Sequence, residues 1–370
     1  MIKEVNEYDV DFLFILIRPE FSDYVEPLIS GLNDCGFLTK TVYNVSDVES
    51  NPCIPRVVVC TNETPLIAAF PSARTVLLGH SIYMRDTVPT PLQQGVDCFL
   101  GYDFYFCPSV YYVQWTILSL LDSATFSSQT SVFSTPKTLI PGGYAKEFRR
   151  PEKSEQSSAQ PIAPVQKSIL YAPSVFSPDH TGHLFHEHGA GVLGLLCAVR
   201  PAAQIICRPH PTDRGRDYVN ILIQSFANHP QVRFDLSDTP SGTLYHVPDI
   251  VVTDMSGFGF AFALATGLRP IFLVSRIEAE KHRRFAELAR RFGRLAHDFG
   301  ELLVLVRAQL NQHDSLNAAE YTSLAAALYS DRNTPEATVA DLRAIADGRT
   351  EQHWLVLPLA ILGAAPLIED

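Results

Sequence analysis

The chain has 370 residues, of which 46% are hydrophobic and 19% are charged, and its formal net charge is −11. This composition is typical of folded globular proteins and excludes a disordered chain. The acidic balance, together with the lack of a long Lys/Arg run, argues against DNA or RNA as a partner. The length exceeds what one hydrophobic core ordinarily serves, so we expect two domains of similar size.

The first half alternates short apolar runs with helical segments. Strand patterns lie at 11–17, 39–43, 56–60, 75–78, 104–107 and 138–140, and helical patterns at 24–35 and 111–121. This alternation predicts a parallel sheet with right-handed crossovers. Gly79-His80-Ser81 follows the fourth run, so His80 lies just past the carboxyl end of a strand, where ligands of such sheets bind. Gly79 would allow a close approach of backbone to ligand, whereas a packed structural histidine is the alternative for His80.

A change of character marks the middle of the chain. Residues 149–166 are charged and then rich in Ser, Gln and Pro, without periodicity, which is typical of a linker. We therefore predict a first α/β domain over 1–148, a linker over 149–166, a second α/β domain over 167–330, and a helical tail over 331–370 that crosses back to the first domain as one option.

The second half repeats the strand and helix alternation. Strand patterns lie at 168–171, 205–207, 232–234, 249–253 and 271–274, with helices up to 200, over 218–227, and at 318–329 and 334–347. His180, His183, His186 and His188 fall within nine residues before the first of these helices. No carboxylate or cysteine set of recognised spacing accompanies them apart from Glu187, so we favour a polar helix start over a metal site.

Candidate ligand-binding residues follow two of the strands in this half. The run IICRPHPTD, residues 205–213, ends with His210 between two prolines that fix the backbone around one imidazole. The run VVTDMSG, residues 251–257, ends at Ser256 and Gly257 before an apolar small-residue helix, and a helix N-terminus with a Ser hydroxyl suits a phosphate. A plain turn after the strand is the alternative for the His-Pro pair. Together the two ends predict a nucleotide-diphosphate site.

The cysteines and the basic residues bear on location. Seven scattered cysteines without a CxxC pair, and no secretory leader, predict reduced thiols in a cytoplasmic protein. No apolar run reaches the length of about 18 residues that is needed to span a bilayer.

The stretch KHRRFAELARRFGR, residues 281–294, predicts one amphipathic helix. Such a helix is usually a solvated face, with an anionic acceptor or the inner face of a membrane as its alternative partner.

Six short motifs occur in a recognisable order. They are Gly79-His80-Ser81, Phe106-Cys107-Pro108-Ser109, Ile140-Pro141-Gly142-Gly143-Tyr144, Leu170-Tyr171-Ala172-Pro173, His210-Pro211 and Asp254-Met255-Ser256. In this order the chain resembles the CDP-glycerol glycerophosphotransferase family, the teichoic-acid and capsule polymer enzymes of the GT-B fold. It is more distantly similar to other GT-B transferases that carry a His-Pro element.

The resemblance implies two Rossmann-like domains facing a central cleft, with the acceptor on the first domain and the nucleotide on the second. It implies that His80 is the general base on the acceptor hydroxyl and that His210 binds or neutralises the donor pyrophosphate. Ser256, with the N–H groups from Gly257 onward, would hold a phosphate. Further donor-pocket candidates are Ser174, Arg208, Thr212, Thr253 and Asp254. Neither a metal nor another cofactor is required, because imidazoles and helix N-termini can serve both tasks.

The implied activity is transfer of a nucleotide-activated glycerol phosphate or sugar to a hydroxyl of a bacterial cell-surface polysaccharide or its lipid-linked precursor. Departures from the family pattern are Leu78, Ser81, Gly257 and Ala261. They leave CDP-glycerol and CMP-, UDP- or CDP-sugars open as donors. A nucleotide-sugar epimerase of similar build, and a non-catalytic nucleotide-binding module with a decayed site, remain as alternatives.

Overall fold

A computed structural model of the chain describes residues 8–17, 21–50, 53–79, 101–126, 136–144, 167–175, 184–237, 248–312 and 314–358. The chain divides into two compact units, of which unit 1 comprises Met1–Glu147 with Ala326–Asp370 and unit 2 comprises Phe148–Ala325. The linker predicted at 149–166 lies outside the described residues.

Unit 1 is built on a seven-stranded sheet in the order β13-β6-β5-β4-β3-β1-β2. Its strands are β1 Val10–Ile15, β2 Thr39–Val42, β3 Pro55–Cys60, β4 Arg74–Leu78, β5 Phe104–Cys107, β6 Lys137–Pro141 and β13 Leu355–Leu357. Its helices are α1 Ser22–Asp34, α2 Val45–Ser50, α3 Val110–Phe126 and α11 Pro335–Asp347. The first six strands pair in parallel, and β13 pairs antiparallel with β6 at one edge.

Unit 2 is built on a six-stranded parallel sheet in the order β12-β11-β10-β7-β8-β9. Its strands are β7 Ser168–Tyr171, β8 Gln204–Cys207, β9 Val232–Phe234, β10 Ile250–Thr253, β11 Ile271–Leu273 and β12 Arg294–Ala296. Its helices are α4 Leu184–Ala198, α5 Asp217–Phe226, α6 Gly257–Thr266, α7 Arg276–Lys281, α8 Arg283–Phe292, α9 Phe299–Asn311 and the greater part of α10 Ala318–Leu328.

The central strands form because their residues are β-branched, aromatic or otherwise apolar on both faces. Val57, Val58 and Val59 of β3 are fully buried, and every residue of β10 is buried. A strand that is apolar on both faces needs helices above and below it, which parallel crossovers provide. The α/β prediction is therefore confirmed, and the strand patterns of both halves lie within a few residues of the observed strands.

The prediction of one helix over 281–294 is wrong. His282 departs from helical geometry with φ −111° and ψ 62°, and it separates α7 from α8. Gly293 ends α8, and β12 begins at Arg294. The His282 side chain is buried beside the Glu278 carboxylate at this break. The amphipathic pattern itself is confirmed, since Phe285, Leu288 and Phe292 are all buried.

The C-terminal segment joins the edge of the unit 1 sheet. The apolar pattern from Trp354 onward contains β13, a three-residue strand that sequence periodicity did not reveal. Trp354 is buried, and its indole N–H donates to the Asp341 carboxylate of α11 at 3.1 Å. Among the described residues, no helix has both the length and the apolar character needed to cross a bilayer.

The cysteines of the described residues are all free thiols. Three of the six, Cys60, Cys107 and Cys207, lie in strands and are buried, and burial raises the pKa of the Cys60 and Cys107 thiols to about 12. A thiol with so high a pKa is not ionised near neutral pH, which is typical of core cysteines rather than reactive ones.

Candidate functional site

The strand order of unit 2 creates a switch point between β7 and β10. From β7 the chain proceeds outward through β8 and β9 on one side and through β10, β11 and β12 on the other. This is the 3-2-1-4-5-6 order of nucleotide-binding α/β sheets, in which ligands bind beyond the carboxyl ends of the two central strands. The residues that follow β7 and β10 are therefore the first candidates for a binding site.

The ends of these two strands are joined by short hydrogen bonds. The Ala172 N–H donates to the Val252 carbonyl at 3.0 Å, and the Thr253 hydroxyl donates to the Ala172 carbonyl at 2.6 Å. Thr253 is fully buried. Its hydroxyl therefore continues the sheet pairing for one residue beyond the strands, and in this structure it serves the protein's own backbone.

Asp254 holds the loop that follows β7. The Ser174 N–H donates to both carboxylate oxygens of Asp254, each at 3.0 Å. Both residues are buried. A buried carboxylate is stabilised by such donors, and a buried N–H that lost its acceptor would cost stability. The Asp254 side chain thus fixes the position of Ser174 at the switch point.

Helix α6 begins directly at this point. Ser256 is its N-cap, and the Ser256 hydroxyl oxygen accepts the Phe258 N–H at 3.1 Å. Gly257 is the first helical residue. Gly259 lets the helix approach the sheet closely, because a Cβ there would lie 2.5 Å from the Phe272 ring. The positive end of the α6 dipole therefore lies at the end of β10, as a phosphate-binding site requires.

His210 follows the neighbouring strand β8. It caps the short 3-10 helix Pro211–Asp213, and the Thr212 N–H donates to its Nδ1 atom at 3.2 Å. Because Nδ1 accepts this bond, the proton of the neutral imidazole lies on Nε2. The ring is partly exposed. His210 can therefore offer an N–H donor at the ligand-binding edge of the sheet. Thr212 orients the His210 ring through its backbone N–H.

Arg208 is buried and paired with Asp235, which follows β9. Burial alone would raise the pKa of the Asp235 carboxyl, but hydrogen bonds from Ser237 and the Arg208 guanidinium lower it below its ordinary value. The Arg208 charge is thus compensated within unit 2. Asp235 was not among the predicted site residues, although its place directly after a parallel strand was the available signal.

The strand ends of unit 1 are packed by glycine and proline. The Gly79 N–H donates to the Phe106 carbonyl at 3.1 Å, and a Cβ on Gly79 would lie 2.4 Å from Cδ of Pro108. The close approach predicted at Gly79 is therefore made by the protein's own Pro108. His80 and Ser81 lie outside the described residues. Ser109 caps α3 by accepting the Tyr112 N–H at 3.1 Å.

The histidine cluster before α4 is only partly described, since His180 and His183 lie outside the described residues. The His186 ring meets the Tyr218 ring edge-on at 4.9 Å, and His188 lies 3.6 Å from the Glu187 carboxylate. Within the described ranges, no group of three metal-ligating side chains is assembled.

Comparisons with known proteins bear on the fold. No family model and no curated protein sequence matches the chain. Among solved structures, the chain is similar to a variant of the wall teichoic acid polymerase TagF soaked with CDPG. The TM-score is 0.57 at 13% identity, over 91% of this chain and 88% of that chain.

The chain is also similar to the Methanocaldococcus jannaschii UDP-GlcNAc 2-epimerase in complex with UDP-GlcNAc and UDP. The TM-score is 0.53 at 11% identity, over 90% of this chain and 99% of the epimerase. At such identities the likeness shows the fold alone, and the predicted GT-B fold is confirmed.

Proposed function

We propose that the chain is a GT-B transferase that moves a nucleotide-activated glycerol phosphate or sugar to an acceptor hydroxyl. The observation that carries the proposal is the switch point of unit 2. Its strand order is 3-2-1-4-5-6, its two central strands are joined by Thr253 and Asp254, and a Ser-capped helix begins at the same edge. This combination is typical of nucleotide-diphosphate sites.

The donor diphosphate is assigned to the start of α6. The Ser256 hydroxyl and the backbone N–H groups from Gly257 onward supply donors, and the helix dipole adds partial positive charge. His210 supplies a further N–H from Nε2, which becomes a charge-assisted donor when the imidazole is protonated. Ser174, which Asp254 holds in place after β7, is a further residue of the donor pocket. Arg208 and Thr212 support the loop that carries His210.

The acceptor side of the reaction is assigned to His80. Its place directly after Gly79, at the end of β4, supports this assignment, because Gly79 is fixed against Pro108 and Phe106. A hydroxyl nucleophile needs a base whose pKa lies near neutral pH, and imidazole is the side chain that provides it. The leaving nucleotide needs its developing charge stabilised, which the donors around Ser256 and His210 would do.

A CDP-glycerol donor and a teichoic-acid or capsule polymer acceptor are the most specific form of the proposal. The likeness to TagF, which was soaked with CDPG, supports this donor together with the six ordered motifs of the sequence. Gly257 and Ala261, which depart from the family pattern, keep CMP-, UDP- and CDP-sugars within the proposal. The acceptor would be a cell-surface polysaccharide or its lipid-linked precursor.

A cytoplasmic location at the inner face of a membrane forms part of the proposal. Supporting it, α8 buries its apolar residues and turns Arg283, Arg284, Arg290 and Arg291 outward. Arg283 and Arg290 make no ion pair with any residue that the structure describes. Basic residues in an otherwise acidic chain favour contact with anionic lipid.

A nucleotide-sugar epimerase is the second candidate. The likeness to the UDP-GlcNAc 2-epimerase, which this chain matches over 99% of its length, favours it. An epimerase would interconvert a free nucleotide sugar without an acceptor. A non-catalytic nucleotide-binding module, suggested by Gly257 and Ala261, would bind the donor and turn nothing over.

The test is calorimetry with CDP-glycerol, CMP, CDP, UDP and GDP, with and without magnesium, followed by transfer assays. Selective binding of a cytidine nucleotide, with transfer to an added polymer acceptor, is expected. Uridine selectivity with acceptor-free interconversion would establish the epimerase instead, and binding without turnover would establish the non-catalytic module.

Variants at His210 and His80 test the two proposed roles separately. His210→Ala is expected to weaken nucleotide binding about 10- to 100-fold, the usual loss for a hydrogen bond to a charged group. His229→Ala is the matched control, because His229 precedes β9 and so lies at the opposite edge of the same sheet. His80→Ala should abolish transfer while nucleotide affinity is kept. Normal turnover in His80→Ala would remove His80 from the mechanism.

A further inference from the structure

The loop that carries His210 closes on a buried carboxylate. Asp213 is the last residue of the 3-10 helix, and its N–H donates to the His210 carbonyl at 2.8 Å. Its side chain is 0% exposed, although Thr212 and Arg216 on either side are exposed. An ionised carboxylate is rarely buried to this extent unless neighbouring groups compensate its charge.

Two side chains from the start of α5 surround this carboxylate. Arg216, the N-cap residue of α5, places its Nε atom 3.4 Å from Oδ1 of Asp213. Burial raises the pKa of the Tyr218 phenol, and the negative charge of Asp213 raises it further. Tyr218 therefore stays protonated and carries an O–H beside the carboxylate. The positive charge of Arg216 thus partly compensates the buried carboxylate.

The backbone of the same loop is folded around these contacts. Gly215 adopts φ +81°, a left-handed conformation that lets the chain return from the 3-10 helix to α5. The Arg216 N–H donates to the Asp213 carbonyl at 3.1 Å, and the Asn220 side chain donates to the Gly215 carbonyl at 3.2 Å. Side-chain and backbone contacts of Asp213 thus fix both sides of one tight turn.

The imidazole of His210 depends on this turn. Its Nδ1 atom accepts the Thr212 N–H only while residues 210–213 keep the 3-10 conformation. If that N–H moved away, Nδ1 would lose the donor that keeps the proton on Nε2. The prolines limit φ at positions 209 and 211, but neither of them holds the turn against α5.

We infer that Asp213 is a positioning residue, which fixes the His210 loop against α5 and keeps the His210 proton on Nε2. The inference rests on the proposed function only for its consequence in nucleotide binding. The Asp213 side chain itself is fully buried.

The test compares Asp213→Asn with Asp217→Asn, which removes an exposed carboxylate four residues further along the same segment. Nitrogen-15 NMR of protein labelled at histidine reports which ring nitrogen carries the proton, and His210→Gln identifies the His210 signals among the twelve histidines. We expect a dominant Nε2–H form in the wild type and in Asp217→Asn, and mixed forms in Asp213→Asn. Calorimetry should show about tenfold weaker nucleotide binding for Asp213→Asn, since small displacements of a binding group have large effects.

Arg216→Gln provides a second variant, which removes the partner and keeps the carboxylate, should Asp213→Asn fail to fold. It should also shift the His210 signals toward mixed forms. An unchanged Nε2–H form in folded Asp213→Asn or Arg216→Gln would overturn the positioning role. Mixed forms without any loss of nucleotide affinity, in these variants and in His210→Gln alike, would support the positioning role and contradict the proposed function of His210.

Discussion

Units 1 and 2 are both built on parallel sheets, but they fix the carboxyl ends of their strands by different means. In unit 2 the ends are held by charged groups, such as the Asp254 carboxylate that accepts the Ser174 N–H. In unit 1 the ends are fixed by close packing. The space that a Cβ of Gly79 would need is filled by Pro108, and the space at Gly143 is filled by Phe106. Asn333, a neutral amide, completes the contact there. Unit 1 should therefore respond most to added volume, and unit 2 to changes of charge.

The largest effect is expected from Gly143→Ala in unit 1. Gly143 has φ +93°, and a Cβ there would lie 2.3 Å from Cβ of Phe106. Strain and overpacking together should lower the unfolding free energy by about 3 kcal/mol or more. Gly36→Ala is the matched control, because Gly36 has φ +85° with open space around it and should lose only about 1 kcal/mol. Urea denaturation would measure both, and equal losses would contradict the steric argument.

Asn333→Ala should produce the next largest effect. The side chain is fully buried, donates to the Pro108 carbonyl at 2.7 Å and accepts the Tyr144 N–H at 3.1 Å. Its loss leaves the Tyr144 N–H without that acceptor, which should cost about 2–3 kcal/mol. Asn311→Ala removes an exposed amide that donates to the Arg307 carbonyl and should cost less than about 0.5 kcal/mol. Thermal unfolding of the two variants would show whether the amide has this role.

Asp254→Ala tests the corresponding contact in unit 2. The Ser174 N–H would lose its acceptor in a buried position, at a cost of about 1–3 kcal/mol. Nucleotide affinity should fall together with stability, because the loop after β7 is released. Thr253→Val is the comparison variant, since it removes the hydroxyl bond to the Ala172 carbonyl but no charge. If Thr253→Val weakened binding more than Asp254→Ala did, the charge-based account of unit 2 would be wrong.

The Arg208–Asp235 pair predicts a pH dependence in unit 2. Because the pKa of Asp235 is lowered in the folded chain from its ordinary value of 3.8, its ionised form stabilises the fold. This contribution is fully present above the ordinary pKa and is lost as the pH falls through the lowered value. The stability difference between wild type and Asp235→Asn should therefore be constant from pH 7 to pH 5 and shrink below about pH 4.

Ser237→Ala should show a smaller difference with the same pH trend, because it removes only one of the donors to Asp235. Urea midpoints across this pH range would measure both variants. If the stability difference between wild type and Asp235→Asn grew as the pH fell, it would contradict a lowered pKa of Asp235.

The smallest effect on stability is expected on the exposed face of α8. The double variant Arg283→Gln/Arg290→Gln should change the unfolding free energy by less than about 0.5 kcal/mol. Its binding to anionic lipid vesicles at low salt should fall about thirtyfold, since each basic residue contributes about 1 kcal/mol. Arg343→Gln/Arg349→Gln makes the same change of charge on exposed residues of unit 1. Equal losses in both variants, or equal binding to uncharged vesicles, would remove α8 as the contact.

Much of the fold could be predicted from local patterns, because buried strands and strand-end motifs are visible within short windows. The motifs around His210 and Ser256 belong to this class. The contacts that complete the site do not, since Ser174 and Asp254 are 80 residues apart in the chain. Pairings between distant residues depend on strand order, which no local pattern specifies. The break at His282 was missed because the apolar spacing of Phe285, Leu288 and Phe292 does not mark where their helix begins.

The strand β13 has a consequence for synthesis on the ribosome. Unit 2 is continuous in sequence and ends at Ala325, whereas unit 1 needs residues from both sides of it. β13 pairs with β6, with Leu355 opposite Leu139, so that edge stays open until residues 355–357 have emerged. Domains fold as units during elongation, and unpaired sheet edges promote aggregation. Unit 2 should therefore be the first to complete its fold, and chains released before residue 357 should be those that chaperones must retain.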